Sequence, residues 1–177
     1  MWNRVKTFTL AIAVVFLFCP LATFSAGKAD KEKTQVAKVI DDSIGWFKNK
    51  DFELLFRVFA DSPDLLLFQP TSETTIKGIE AFRKYSAGWK NPDVVYDRHE
   101  VRDLRIDLSR HKDVAWFSAL LDDCGKSGNR SYCWKDTRWT GVLQKYQGRW
   151  TVIQMHFSFA ADKVQAAAKA KWEAEKK

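Results

Sequence analysis

The stretch from Val94 to Phe159 limits the fold of this chain more than any other feature. There, apolar and polar residues alternate in four long segments separated by short turn sequences. A period of two belongs to a strand that is buried on one side only. Val94–Leu108 is broken by Ser109–Lys112 before Val114–Asp122. A loop containing Gly125, Gly128 and Asn129 leads to Trp134–Lys145, and Gln147 with Gly148 makes a tight turn into Trp150–Phe159. Connections of this kind join neighbouring antiparallel strands. A meander of four long strands is expected, and its apolar face needs a cover.

The cover lies upstream. Val36, Val39, Ile40, Ile44 and Phe47 recur at spacings of three and four, which predicts a helix running to about Lys48. Asp51 is placed to cap a second, short helix carrying Phe52, Leu55, Phe56 and Phe59. Leu65–Phe68 reads as a buried strand between Pro63 and Pro70, with Thr74–Ile76 as a brief partner. Gly78 opens a third helix with Ile79, Phe82 and Trp89 inward, closed by Asn91 and Pro92. The class is α+β: three helices packed on a strongly curved antiparallel sheet to form a cone. The domain is expected over residues 36–160, after a charged, flexible leader over 27–35 and before an alanine- and lysine-rich tail over 161–177, helical or frayed.

The opening residues carry a different message. Arg4 and Lys6 precede a nearly unbroken apolar run, Phe8–Cys19, and the small residues Ala22, Ser25 and Ala26 follow. This is the layout of a secretory signal, read here as residues 1–26. The run of about a dozen apolar residues falls short of the roughly 20 that a helix needs to cross a bilayer, so no permanent membrane anchor is expected. Cys19 sits between Phe18 and Pro20, poor neighbours for lipid attachment. Cleavage after Ser25 or Ala26 leaves about 150 residues, one ordinary domain, in the periplasm or secreted. The net charge is +7, and losing Arg4 and Lys6 with no acid leaves +5. The basic residues are interleaved with acids instead of forming a stripe, which together with export argues against a nucleic-acid partner.

Cys124 and Cys133 flank the glycine-containing loop and, in an exported protein, read as a disulfide that stabilises by about 2–3 kcal/mol. No further ligands stand nearby to make a zinc site. His99 and His111 lie in charged, solvent-facing surroundings without a paired carboxylate, so no metal is expected. No glycine-rich phosphate loop is present, and no cofactor is expected.

The order of elements, together with Asp113-Val114-Ala115-Trp116-Phe117, Thr140-Gly141-Val142-Leu143 and Gly148 through Ser158, resembles the nuclear-transport-factor-2-like superfamily and, within it, the SnoaL-like group. The closing segment is also similar to that of the kinase association domains, which carry a histidine and a serine at matching spacing. The likeness spans about Val36–Phe159 and implies the cone fold. For activity it implies a range: isomerases, cyclases, dehydratases, and modules that only bind or assemble. The tyrosine and paired aspartates of the ketosteroid isomerases have no recognisable counterparts. The arginine that association domains place in the cavity corresponds to Gly141.

Strand register, counted from the turns, nominates a site. Pairing Tyr146 with Arg149 sets Gly141 opposite Gln154 and Trp139 opposite His156. Pairing Cys124 with Cys133 sets Trp116 opposite Gly141 and Ser118 opposite Trp139. One face then carries Trp116, Ser118, Asp122, Trp139, Gln154 and His156, aromatic surface with a few polar groups, as a small-molecule site requires. Gly141 leaves room at its centre. The other face, with Phe117, Ala119, Thr140, Val142, Ile153 and Phe157, suits burial against a flat packed layer or against a second copy, a homodimer through the sheet.

Three functions follow. The first is binding of a small, partly aromatic or lipophilic ligand by Trp116, Ser118, Trp139, Gln154 and His156. The second is an isomerase or dehydratase with His156 as proton shuttle and Asp122 as base or orienter, which needs the two within hydrogen-bond reach, directly or through one water. The third is a dimerising accessory domain that takes no ligand.

Overall fold

The computed structural model describes residues 21–176. Residues 1–20 of the expected export signal lie outside the described residues. The chain runs α1 (Leu21–Gly45), a single 3₁₀ turn (Trp46–Lys48), α2 (Phe52–Val58), β1 (Leu66–Phe68), β2 (Ile76–Lys77), α3 (Ile79–Ser86), β3 (Val94–Leu108), β4 (Val114–Ser127), β5 (Arg130–Tyr146), β6 (Arg149–Ser158) and α4 (Ala161–Ala174).

Helix α1 starts well before Val36, so the expected flexible leader at 27–35 is helical. Two causes act together. The segment holds Ala29, Lys31, Glu32, Lys33 and Gln35, good helix formers despite the lack of apolar spacing. Glu32 also reaches the sheet. Its carboxylate accepts hydrogen bonds from Lys145 Nζ at 2.6 Å and from the buried Trp150 Nε1 at 2.8 Å. Among the described residues no helix is long and apolar enough to cross a membrane.

Asp51 caps α2 as its position suggests, accepting from the Leu54 N–H at 2.8 Å. Gly78 precedes α3 with φ +81°, a conformation that disfavours other residues, and a Cβ there would lie 3.2 Å from the Pro63 carbonyl oxygen.

The six strands form one sheet in the order β2-β1-β6-β5-β4-β3. The meander β3–β6 is antiparallel throughout, while β1 joins β6 in parallel, so the sheet is mixed. Helices α1, α2 and α3 cover its inner face. Val36 and Ile40 of α1, Leu55 of α2 and Phe82 of α3 meet Phe117, Leu121, Trp139, Leu143 and Met155, all at most 4 % exposed. Each large side chain of this kind contributes about 1.5–3 kcal/mol on burial.

Register shifts interrupt the meander within Tyr96–Arg98 and Arg102–Arg105 on β3, on β5 at Lys135-Asp136 and on β6 at Ile153. Asp103 and Asp136 take φ of +52° and +51° at two of them. Bulges bend a sheet, and each exchanges the faces beyond it. Counting from the Gln147-Gly148 turn holds as far as Leu143↔Val152, after which Val142 pairs with Gln154. Counting from Cys124↔Cys133 holds to Asp123↔Trp134, after which Leu121 pairs with Thr137. Gly141 therefore faces Met155 and Phe117, Trp139 faces Phe157, Trp116 faces Val142 and Ser118 faces Thr140. Relative to the faces inferred from an unbroken register, β4 and the part of β6 beyond Ile153 are exchanged, while β5 keeps Trp139 inside.

Candidate functional site

The exchange moves the site. Trp116, Ser118, Gln154 and His156 lie on the outer face, away from the helices. Trp116 is 47 % exposed, and His156 packs edge-on against Phe68 of β1 at 6.0 Å between ring centroids. Trp139 stays inside but lines no space. Fully buried, it stacks on Phe157 at 5.9 Å and meets Phe117 edge-on at 5.0 Å. Gly141 opens no room for a ligand either, because the Phe117 ring fills it. A Cβ on Gly141 would sit 2.6 Å from Phe117 Cε1 and 2.7 Å from the Gln154 carbonyl oxygen.

The expected pair of Asp122 and His156 does not form. Asp122 is bound by Arg102 at 2.7 Å and by the Asp136 backbone N–H at 2.8 Å. The same Arg102 reaches Asp136 at 2.8 Å, and Lys163 of α4 pairs with Asp136. Asp122 lies four residues along β4 from Ser118, which stands level with Thr140 and His156, so about 13 Å of strand separates acid from histidine. The Asp136 backbone N–H, with help from Arg102, holds the Asp122 carboxyl below the usual range against the opposing effect of burial. It is an ion-pair anchor, not a free base.

A cavity of about 360 Å³ lies elsewhere on the inner face, between the cysteine end of the meander and the helices. Its sheet wall is Leu121 and Asp123 of β4, Tyr132 and Trp134 of β5, and Met155 and Phe157 of β6. The helical wall is chiefly aromatic, with Trp46, Phe47, Phe59, Phe82, Tyr85 and Trp89. Trp46 is the hub of this wall, at 5.2 Å from Phe47 and 5.3 Å from Trp89. The disulfide Cys124–Cys133 joins directly opposed residues whose Cα atoms are 4.0 Å apart. Asp123 and Trp134, the next pair along, are thereby held side by side at the cavity.

Asp123 is the one acid in the lining, and among the described residues no hydrogen bond or ion pair reaches its carboxylate. Burial pushes it up to about 6, opposed by the charge of His99. Tyr132 is pushed up to about 12, first by burial and then by the negative charge of Asp123. His99 stands opposite Asp123 on β3. Its Nε2 meets Asp41 of α1 at 3.0 Å and its Nδ1 meets the Tyr96 hydroxyl at 3.0 Å. Gly45 makes room for this ring, since a Cβ there would lie 3.3 Å from His99 Cε1. Both ring nitrogens of His99 are thereby engaged.

Residues 36–162 match the SnoaL-like domain family, which covers well over half of the chain. The chain belongs to the SnoaL-like family. No curated protein matches it. Among solved structures it is similar to an NTF2-like protein from Streptomyces avermitilis with a provisional dehydratase name, at 15 % identity and TM-score 0.63, covering 75 % of this chain and 98 % of that one. It is also similar to an NTF2-like protein from Cytophaga hutchinsonii, at 18 % identity and TM-score 0.59, covering 72 % and 98 %. A third is the association domain of C. elegans CaMKII, at 21 % identity and TM-score 0.57, covering 76 % and 99 %. These likenesses establish the cone fold.

In this SnoaL-like domain the polar residues that line the hollow include Asp123, Tyr132, Tyr85, Ser43, Gln69 and Ser127, and His99, Tyr96 and Asp41 stand behind Asp123. Sequence reasoning missed all of them. Tyr132, Cys133 and Trp134 carry a usable signal, an alternation that puts both aromatics on one face beside the disulfide. His99 carried none, because its surroundings in sequence are charged while its side chain is only 13 % exposed.

Proposed function

We propose that this SnoaL-like domain is exported and binds a small, partly apolar molecule in the cavity between its aromatic helical wall and Asp123. The observation that carries the reading is a chiefly aromatic and aliphatic hollow, with a few neutral polar residues, that holds one acid to which, among the described residues, no hydrogen bond or ion pair reaches. Its volume of about 360 Å³ falls at the small end of the usual range for ligand pockets, about 300–1,000 Å³. A carboxylate left without a partner in such a place costs stability, and a ligand that satisfies it restores the loss. Export is supported by the signal-like first residues and the disulfide.

The test is extraction of ligand from the purified protein followed by mass spectrometry, with Leu121→Trp as the filled-cavity control. A small molecule should co-purify with the wild type and be absent from the variant. Equal recovery from both would remove the cavity as its site.

A second reading, an isomerase or dehydratase, is favoured by Asp123 itself. A base near 6 is well placed to move a proton at neutral pH, with His99 across the strand as its neighbour. Here Asp123 takes the role first given to Asp122 and His156. Incubating the extracted molecule with the protein in heavy water would decide it: deuterium uptake that disappears in Asp123→Asn supports turnover, and no uptake supports binding alone. Two copies are proposed to pair through the outer face, where Trp116 and Phe68 are 47 % and 43 % exposed. Sedimentation should give a dimer that Trp116→Glu dissociates, and a wild-type monomer would exclude it.

A further inference from the structure

Resting on the reading of the cavity as a ligand site, we propose that its preferred ligand is an organic cation, a small ammonium compound whose charged head pairs with Asp123 and whose apolar body packs on the aromatic wall. Three features of the cavity point there. Among the described residues the lining holds a carboxylate and no lysine, arginine or histidine, so none of them pairs with Asp123 from within. The lining is rich in aromatic rings, whose electron-rich faces attract a cation and give an anion nothing. Trp46, Phe47 and Trp89 stand on the helical side, and Tyr132 and Trp134 flank Asp123 on the sheet side. Tyr132, Tyr85, Ser43 and Gln69 also line the space, and their side chains are of types that can accept from ammonium hydrogens left over by the carboxylate.

The surrounding charges agree with this assignment. His99 stands opposite Asp123 on β3, and its ring is already engaged by Asp41 of α1 and Tyr96. It makes no hydrogen bond or ion pair with Asp123 among the described residues, and its charge offsets the burial of that acid only in part. Carboxylate or phosphate ligands would instead meet Asp123 in a poorly solvated space and be repelled.

Three probes of similar size separate this proposal from the broader reading: 2-phenylethylammonium, 2-phenylethanol and phenylacetate, titrated into the purified protein by calorimetry at pH 7.5. The ammonium should bind at least tenfold tighter than the alcohol, and phenylacetate weakest. Asp123→Asn should bring ammonium and alcohol within about twofold. Because Asp123 sits near 6, the ammonium should bind about tenfold more weakly at pH 5 than at pH 7.5, where the acid is fully ionised. Of the other groups facing Asp123, His99 and Asp41 are tied to each other, and Tyr132 and Tyr85, both raised by burial, stay neutral throughout. If the alcohol or phenylacetate binds as tightly as the ammonium, the cation claim falls and the cavity reading stands. An ammonium preference that survives in Asp123→Asn also overturns the claim. If none of the three binds, both fall.

Discussion

Replacing Asp123 with asparagine should make this protein more stable at neutral pH, the reverse of what removing a structural acid does. The carboxyl moves from an ordinary 3.8 to about 6 in the fold, with burial the larger cause and His99 a partial offset. That gap corresponds to about 3 kcal/mol of ionisation cost carried by the native state. Between 3.8 and about 6 the native state holds more protons than the unfolded one, so stability falls as pH rises through that window and the full cost is present above it. Asparagine removes the charge but leaves a partly buried amide without a partner, which returns about 1 kcal/mol. A net gain of about 2 kcal/mol at pH 7.5 is expected, or about 4–8 °C in Tm for a domain of this size. At pH 4.5 the gain should shrink to near zero. Urea denaturation followed by tryptophan fluorescence at the two pH values measures both. A variant that is less stable at pH 7.5, or a difference that does not change with pH, would refute the claim that this acid is desolvated and unpaired.

Other substitutions probe the frame around the cavity. Glu32→Ala leaves Lys145 and the buried Trp150 N–H without their acceptor and should cost about 2–3 kcal/mol, with loss of hydrogen-exchange protection in the first half of α1; unchanged exchange there would count against the docking of that segment. Gly141→Ala drives a Cβ toward Phe117 and a backbone oxygen and should cost about 1–3 kcal/mol while leaving ligand affinity intact; altered affinity would return Gly141 to the site. Cys124→Ser should lower Tm under oxidising conditions by the equivalent of about 2–3 kcal/mol and leave it unchanged in reductant; equal melting in both would remove the disulfide from the account.

Much of the frame is legible in the chain itself. The helical face from Val36 to Phe47, the Asp51 cap and the four alternating segments come through because each rests on local periodicity, which burial then follows. The disulfide is legible for a similar reason, since its cysteines flank one hairpin. The leader over 27–35 was misread because its helix is held by a distant contact, Glu32 to Lys145 and Trp150, that no local pattern announces. The site residues were lost to bulges. Each inserts one residue and reverses every side chain beyond it, so Asp123 was passed over for its neighbour Asp122, and Trp116 and His156 were placed inside. Asp136 at φ +51° is the pivot on β5, and an aspartate in a charged strand gives little warning of a left-handed backbone.

The most direct test of where this domain holds its ligand uses a neutral probe, so that charge plays no part: 4-bromobenzyl alcohol soaked into crystals and located by the anomalous scattering of bromine. The expected peak lies within the cone, between the Trp46–Trp89 wall and the Asp123–Trp134 edge of the sheet. Bromine on the outer face beside Trp116 and His156, with the inner hollow empty, would contradict the account.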